Sequence, residues 1–192
     1  MLTTENRNIP SIKKALTLAA VLIVLSTPCI AAGARIEGVK VRYDSNLKVS
    51  FIVADAFKKD MEEAIQSGLP ASFTFLVKLD RRRDLWFDER LGAWKFNHTV
   101  KYDALKEEYE VNIEEKNLKE RTKDHAEMKR LMTTGEDVVI SPLPALNPGE
   151  GYNLAIKAKL ETVNLPPILN YMLFFVKFWD FETGWYTYNL TP

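Results

Sequence analysis

The sequence predicts an α+β domain that is mainly β, built as an antiparallel sandwich or a strongly curved sheet of about eight strands with two short helices. Apolar and polar residues alternate along several segments, as in 152–161, which is typical of strands with one buried and one wet face. Such strands favour antiparallel pairing and argue against a doubly wound parallel sheet. Two other segments, 55–68 and 122–135, carry apolar residues at helical spacing.

The composition is that of one globular domain. The chain has 192 residues, of which 46% are apolar, and this is enough for a substantial core. The formal net charge is zero and no dominant basic block occurs, so nucleic acid is a poor candidate for a partner. We therefore expect a single domain over residues 35–192.

The first 34 residues have the three-part pattern of a secretory signal peptide. Basic residues precede an uncharged apolar run, 15–25, and the small residues 32–34 follow it, so cleavage is expected before Arg35 and the domain is expected in the periplasm. The alternative is an uncleaved inner-membrane anchor, although the run is shorter than the roughly 20 residues that span a bilayer. The only cysteine, Cys29, lies in this leader, so the mature domain would have no disulfide.

The domain begins with a predicted hairpin, helix and strand. Residues 35–43 and 47–53 alternate around a polar turn and are typical of a β-hairpin. Asp55 is a candidate N-cap for the helix that follows, because its carboxylate can accept hydrogen bonds from unpaired backbone N–H groups. Gly68 is expected to end this helix in a left-handed conformation. The alternating residues 71–80 then predict a long strand.

A second hairpin and a second helix follow. Residues 94–102 and 109–113 alternate around a turn. The arginine run 81–83 before them is interpreted as a solvated strand end with local counter-charges. Residues 117–121 are expected to be a charged connector. Thr122 is expected to cap the second helix and Gly135 to end it.

The later part of the chain adds strands and one strongly apolar segment. Residues 152–161 predict a half-buried strand, and 179–190 a final strand or hairpin. Ile168–Trp179 is the most hydrophobic part of the mature chain. It is too short to cross a bilayer, so it is either a buried element or a patch that touches a partner or membrane. Tyr171 and Phe175 are the candidates for partner contact in the second case.

Sequence motifs for catalysis, cofactors or metals were not found. His98 lies in line with Trp94 and Phe96, so a partly buried imidazole with satisfied hydrogen bonds is expected. His125 is expected to be exposed in the first turn of a helix. Neither histidine has a Cys or His neighbour at metal-ligand spacing, and no nucleophile elbow, P-loop or dinucleotide fingerprint occurs. No catalytic residue, cofactor or metal is therefore predicted.

Several sequence segments resemble those of a known family in their order and spacing. They are EEAIQSGLPASFTF, RRRDLWFDE, YDALKEEYEV, YNLAIKAKLE, LPPIL and WDFETGW. Together they resemble the bacterial exported proteins of domain-of-unknown-function family forty-three ninety. The resemblance implies a Gram-negative envelope protein with no assigned activity, cofactor or catalytic residue. It also implies, as a partner to consider, a neighbouring membrane sensor kinase of the nitrogen-regulation type.

These observations favour a non-enzymatic periplasmic binding or accessory module that acts with an envelope or membrane protein. Two alternatives remain open at the level of the sequence. One is a carrier of a small apolar ligand inside a curved sheet, and the other is a hydrolase whose cleft would surround His98.

Overall fold

The computed structural model describes residues 33–44, 46–142, 145–162 and 181–192. In chain order the elements are β1 (Arg35–Tyr43), β2 (Leu47–Ala54), α1 (Lys59–Gln66), β3 (Ala71–Arg81), β4 (Glu89–Asp103), β5 (Glu108–Ile113), a 3₁₀ turn (Glu114–Lys116), β6 (Leu118–Thr122), α2 (His125–Thr133), β7 (Thr134–Ile140), β8 (Tyr152–Thr162) and β9 (Tyr186–Leu190). The predicted α+β, mainly β class is confirmed. Neither of the helices in this part of the chain is long and apolar enough to cross a membrane.

The strands form two antiparallel sheets. The smaller sheet has the order β1-β2-β7 and the larger one β6-β5-β4-β3-β8-β9. In the larger sheet β3 is central and pairs along its whole length with both β4 and β8. This position follows from its sequence, because nearly every second residue of β3 and of β8 is buried, as are Phe96, His98 and Val100 of β4.

The core lies between the two sheets. The ring of Phe51 on β2 lies 5.3 Å from that of Phe75 on β3, and Phe75 stacks on Phe96 of β4 at 5.2 Å. Both helices contribute fully buried apolar side chains to the same cluster, among them Ile65 of α1 and Met132 of α2. The apolar faces of the strands and of the helices thus pack into one core.

The first helix begins later than predicted. Asp55 is not its N-cap; it adopts a positive φ of 54° directly after β2 and pairs with Arg35. The N-cap is Lys58, which provides no side-chain hydrogen bond. The predicted end is confirmed, because Gly68 has φ +88° and its N–H donates to the carbonyl of Ile65 at 2.9 Å.

The second helix also differs from the prediction at both ends. Its N-cap is Asp124, whose carboxylate accepts from the N–H of Ala126 at 2.8 Å, whereas Thr122 ends strand β6. The charged segment before it is an edge strand rather than a connector, and its residues are exposed because β5 covers only one side. Gly135 does not end the helix. It lies in β7 opposite Phe51.

Candidate functional site

Large apolar side chains stand exposed in the connection between β3 and β4. Leu85, Trp86 and Phe87 keep 96%, 75% and 87% of their surface accessible to solvent. Single exposed apolar residues are normal on a protein surface, but a contiguous group of this size usually marks an interaction site. We call Leu85–Phe87 the apolar tip.

The polar residues on either side hold this connection to the end of the larger sheet. The N–H of Arg82 donates to the carbonyl of Gly151 at 2.8 Å. The side-chain amide of Asn153 donates to the carboxylate of Asp88 at 3.0 Å, and the N–H of Arg83 approaches the same carboxylate at 3.4 Å. Both ends of the loop are therefore anchored, while the three apolar side chains between them stay exposed.

The charges at the base of the apolar tip are balanced. Arg83 pairs with Glu89 at 2.5 Å, and Arg81 lies 3.2 Å from Glu150 and 3.8 Å from Glu89. The predicted local counter-charges of the arginine run are thus confirmed. These pairs are partly exposed to solvent, so their main effect is to orient the side chains rather than to add stability.

His98 forms a fully buried polar contact in the larger sheet. Its side chain has no solvent exposure. Its Nδ1 lies 2.8 Å from the carbonyl oxygen of Leu131, and its Nε2 lies 3.0 Å and 3.1 Å from the two carboxylate oxygens of Glu115. The predicted satisfied imidazole is confirmed, with deeper burial than expected.

The geometry of this pair fixes one hydrogen-bond direction. A carbonyl oxygen only accepts, so Nδ1 must donate its proton to Leu131. Nε2 faces the carboxylate of Glu115. Because both ring nitrogens are occupied and the ring is buried, His98 ties β4 to the 3₁₀ turn and to α2. It does not face a cleft that a substrate could enter.

Glu115 was missed by sequence reasoning, although a signal was present. It is two residues beyond Ile113 and continues in sequence the alternation of Tyr109, Val111 and Ile113, although β5 ends at Ile113 and Glu115 lies in the 3₁₀ turn. Its side chain is 9% exposed. A carboxylate in phase with a buried strand face requires a partner, and Ile113 pairs with His98 in the sheet.

A groove of about 540 Å³ lies on the smaller sheet. Its lining consists of Gly38, Lys40, Arg42, Ser50, Phe51, Ile52, Arg130, Thr134, Gly135, Glu136 and Asp137. Arg42 bridges to Asp137 at 2.5 Å across β2. This hydrogen bond, with a smaller contribution from Ser50, lowers the pKa of Asp137. Five of the eleven lining residues are charged, and the rest are small, polar or apolar.

The two histidines lie on separate elements. His125, predicted to be exposed, starts α2 with 34% of its side chain accessible, and its Nε2 lies 3.5 Å from Glu62. Within the described ranges there is no group of three or more His, Cys, Asp or Glu side chains that could hold a metal ion.

The residues predicted for partner contact are not those of the apolar tip. Tyr171 and Phe175, with the whole segment Ile168–Trp179, lie outside the described residues. Trp86 and Phe87 were visible in the sequence as a short apolar segment between charges. The available signal was that this segment lies between two long alternating segments. Whether other residues cover it depends on how the chain folds.

The chain was also compared with known proteins. The family model described as Domain of unknown function (DUF4390) matches residues 31–189. No curated protein and no solved structure shows significant similarity to the chain.

Proposed function

We propose, for a chain that belongs to the DUF4390 family, a non-enzymatic role as a binding or accessory module that acts with an envelope or membrane protein. The observation that carries the proposal is the apolar tip. Within the described residues nothing covers its three side chains, and the loop that carries them is anchored at both ends, so this surface is available to another molecule.

The apolar tip offers enough surface for a specific contact. Burying a large apolar side chain that was exposed contributes about 1.5–3 kcal/mol. Trp is also among the residues that most often dominate binding energy at interfaces. Because the loop ends are already fixed by Arg82 and Asp88, little ordering entropy opposes binding.

The burial of His98 supports a non-enzymatic role. A general base must reach the proton of a substrate within hydrogen-bonding distance. Both nitrogens of His98 are engaged by Leu131 and Glu115 inside the fold. A hydrolase would need catalytic residues other than His98.

We extend the proposal to the compartment. Residues 1–34 act as a signal peptide that is removed on export, and the domain works in the periplasm, with a membrane sensor kinase as one candidate partner. Intact-mass measurement should find a mature chain that begins at Arg35. A full-length chain in the inner membrane would instead mean that the leader is a retained signal anchor.

The proposed function is tested by photo-cross-linking in native envelopes. A photoreactive amino acid replaces Trp86, and the matched control carries it at Leu105, which is 97% exposed in the β4–β5 turn. The expected result is a discrete protein adduct from position 86 that is absent from position 105. The adduct should also be lost when Leu85 and Phe87 are both replaced by Ser. Identical patterns from the two positions would show that the tip does not mark a partner site.

A further inference from the structure

We infer that the apolar tip inserts into the interfacial region of a lipid bilayer and holds the domain at the membrane surface. This inference rests on one part of the proposed function, that the tip is the working contact, and it makes the membrane itself the molecule that the tip touches. The first observation is the shape of the tip. Leu85, Trp86 and Phe87 follow one another in a turn and are all at least three-quarters exposed, so they form a convex projection.

A convex projection of this kind suits a fluid interface. A protein partner would need a pocket that encloses three side chains on all sides, whereas acyl chains and headgroups surround an inserted group without a preformed shape. Trp is enriched at the boundary between hydrocarbon and water, where its ring sits at the level of the headgroups. Interfacial apolar groups typically reach about 5–10 Å into this region, a depth that a few side chains at a loop end can span.

The charges beside the tip complement zwitterionic headgroups. Arg82 and Arg83 precede the apolar residues, and Asp84 and Asp88 flank them directly. These four residues form a belt with two charges of each sign. When the tip is inserted, the belt lies at the level of the phosphate and ammonium groups of the lipids. Because the belt has no excess of one sign, binding should depend on apolar burial and only weakly on anionic lipid or salt.

The anchoring of the loop lowers the cost of insertion. Hydrogen bonds from Arg82 to Gly151 and from Asn153 to Asp88 fix both ends before any lipid is met. The backbone of the loop therefore does not have to be ordered on binding.

A local fluorescent reporter tests this inference on the full chain. Leu85→Cys is labelled with an environment-sensitive dye in a Cys29→Ser background, and Leu105→Cys is the matched control. With phosphatidylcholine vesicles we expect a blue shift at position 85, quenching by lipids that carry spin labels in their acyl chains, and neither effect at position 105. Vesicles with added phosphatidylglycerol should give nearly the same response. Replacing Trp86 by Ser in the labelled protein should weaken the vesicle response by about tenfold or more, given the apolar surface lost.

The reporter separates this inference from the proposed function. No spectral change with vesicles, together with a specific protein adduct from position 86, would overturn lipid insertion and leave the partner-binding role standing. A vesicle response without any protein adduct would support insertion and overturn the protein partner. Equal responses at positions 85 and 105 would mean that the dye, and not the tip, binds lipid, and would overturn the inference.

Discussion

The contact between His98 and Glu115 should be a major contributor to the stability of the domain. His98 is fully buried, and Glu115 is the only ion-pair partner that its ring meets in the described residues. Three substitutions test this contact by removing one partner or by replacing the carboxylate with an amide. Glu115→Ala deletes the carboxylate, Glu115→Gln keeps its shape, and His98→Ala removes the ring.

The structure gives the expected order of the effects. Glu115→Ala leaves Nε2 buried without a partner, and an unsatisfied buried polar group costs about 1–3 kcal/mol. Glu115→Gln should cost about 1 kcal/mol, because an amide can still donate to Nε2 but the bond is no longer assisted by charge. His98→Ala should cost about 3–5 kcal/mol. It leaves the carboxylate of Glu115, which is only 9% exposed, without its partner. It also removes a ring that lies 4.8 Å from the ring of Phe75.

The assay is equilibrium unfolding in urea, followed by far-UV circular dichroism at neutral pH. The free energy of unfolding and its denaturant slope are compared among the variants, and an unchanged slope licenses the comparison. A double-mutant cycle uses three further variants, His98→Leu, Glu115→Leu and the protein that carries both substitutions. Because both polar partners are then absent, we expect the double variant to lose clearly less stability than the sum of the two single Leu variants.

Two results would refute this reasoning. One is a Glu115→Ala protein whose stability lies within about 0.5 kcal/mol of the wild type, the size typical of a neutral surface change. The other is a mutant cycle whose coupling free energy is near zero. In either case the pair would not contribute as its geometry implies, and Glu115 would be free to turn toward solvent.

Three further predictions concern the backbone and the smaller sheet. Gly135→Ala should lower stability by about 1–3 kcal/mol, because the added Cβ would lie 2.5 Å from the ring of Phe51 and the ring would have to move; thermal unfolding measures this. Gly68→Val should cost about 1–3 kcal/mol through its φ of +88° alone, since the nearest atom to an added Cβ is 4.0 Å away; urea unfolding measures this. Asp137→Asn should make the domain less sensitive to acid. The pKa of Asp137 is lowered in the fold mainly by Arg42, so its contribution is complete above the pKa of the unfolded chain and is lost as pH falls through the lower folded value.

Each of these predictions has a control or a contrary outcome. Gly184→Ala is the control for Gly135→Ala, because an added Cβ there meets nothing within 4 Å, and equal effects at both sites would contradict steric crowding by Phe51. An unchanged melting temperature for Gly68→Val would mean that the helix ends elsewhere. For Asp137→Asn, Asn also tolerates the positive φ of 49° at this position. An unfolding curve at low pH identical to that of the wild type would therefore show that the charge of Asp137 is not involved.

Most of the fold was accessible from the sequence because local patterns carry the information. The alternation in β3 and β8 predicted one-sided strands, since successive side chains of a strand point to opposite faces whatever its neighbours are. Gly68 marked the end of α1, since a left-handed residue there favours glycine. The first residues of the helices were predicted less well. Asp55, Thr122 and Asp124 are all chemically able to cap, and the choice among them depends on where the preceding strand stops pairing.

The candidate site depended on the tertiary structure. Leu85, Trp86 and Phe87 are apolar in the sequence, but only the pairing of β3 with β4 and the bonds to β8 decide that nothing covers them. Glu115 and His98 lie 17 residues apart in the chain, and they meet because β4 and β5 pair in one register. The sequence alone thus determined the elements, the fold class and the family resemblance, since these follow from short-range periodicity and residue order. Which apolar residues are left exposed and which polar residues are buried together was decided by long-range packing, because burial is a property of the neighbours that a residue acquires on folding.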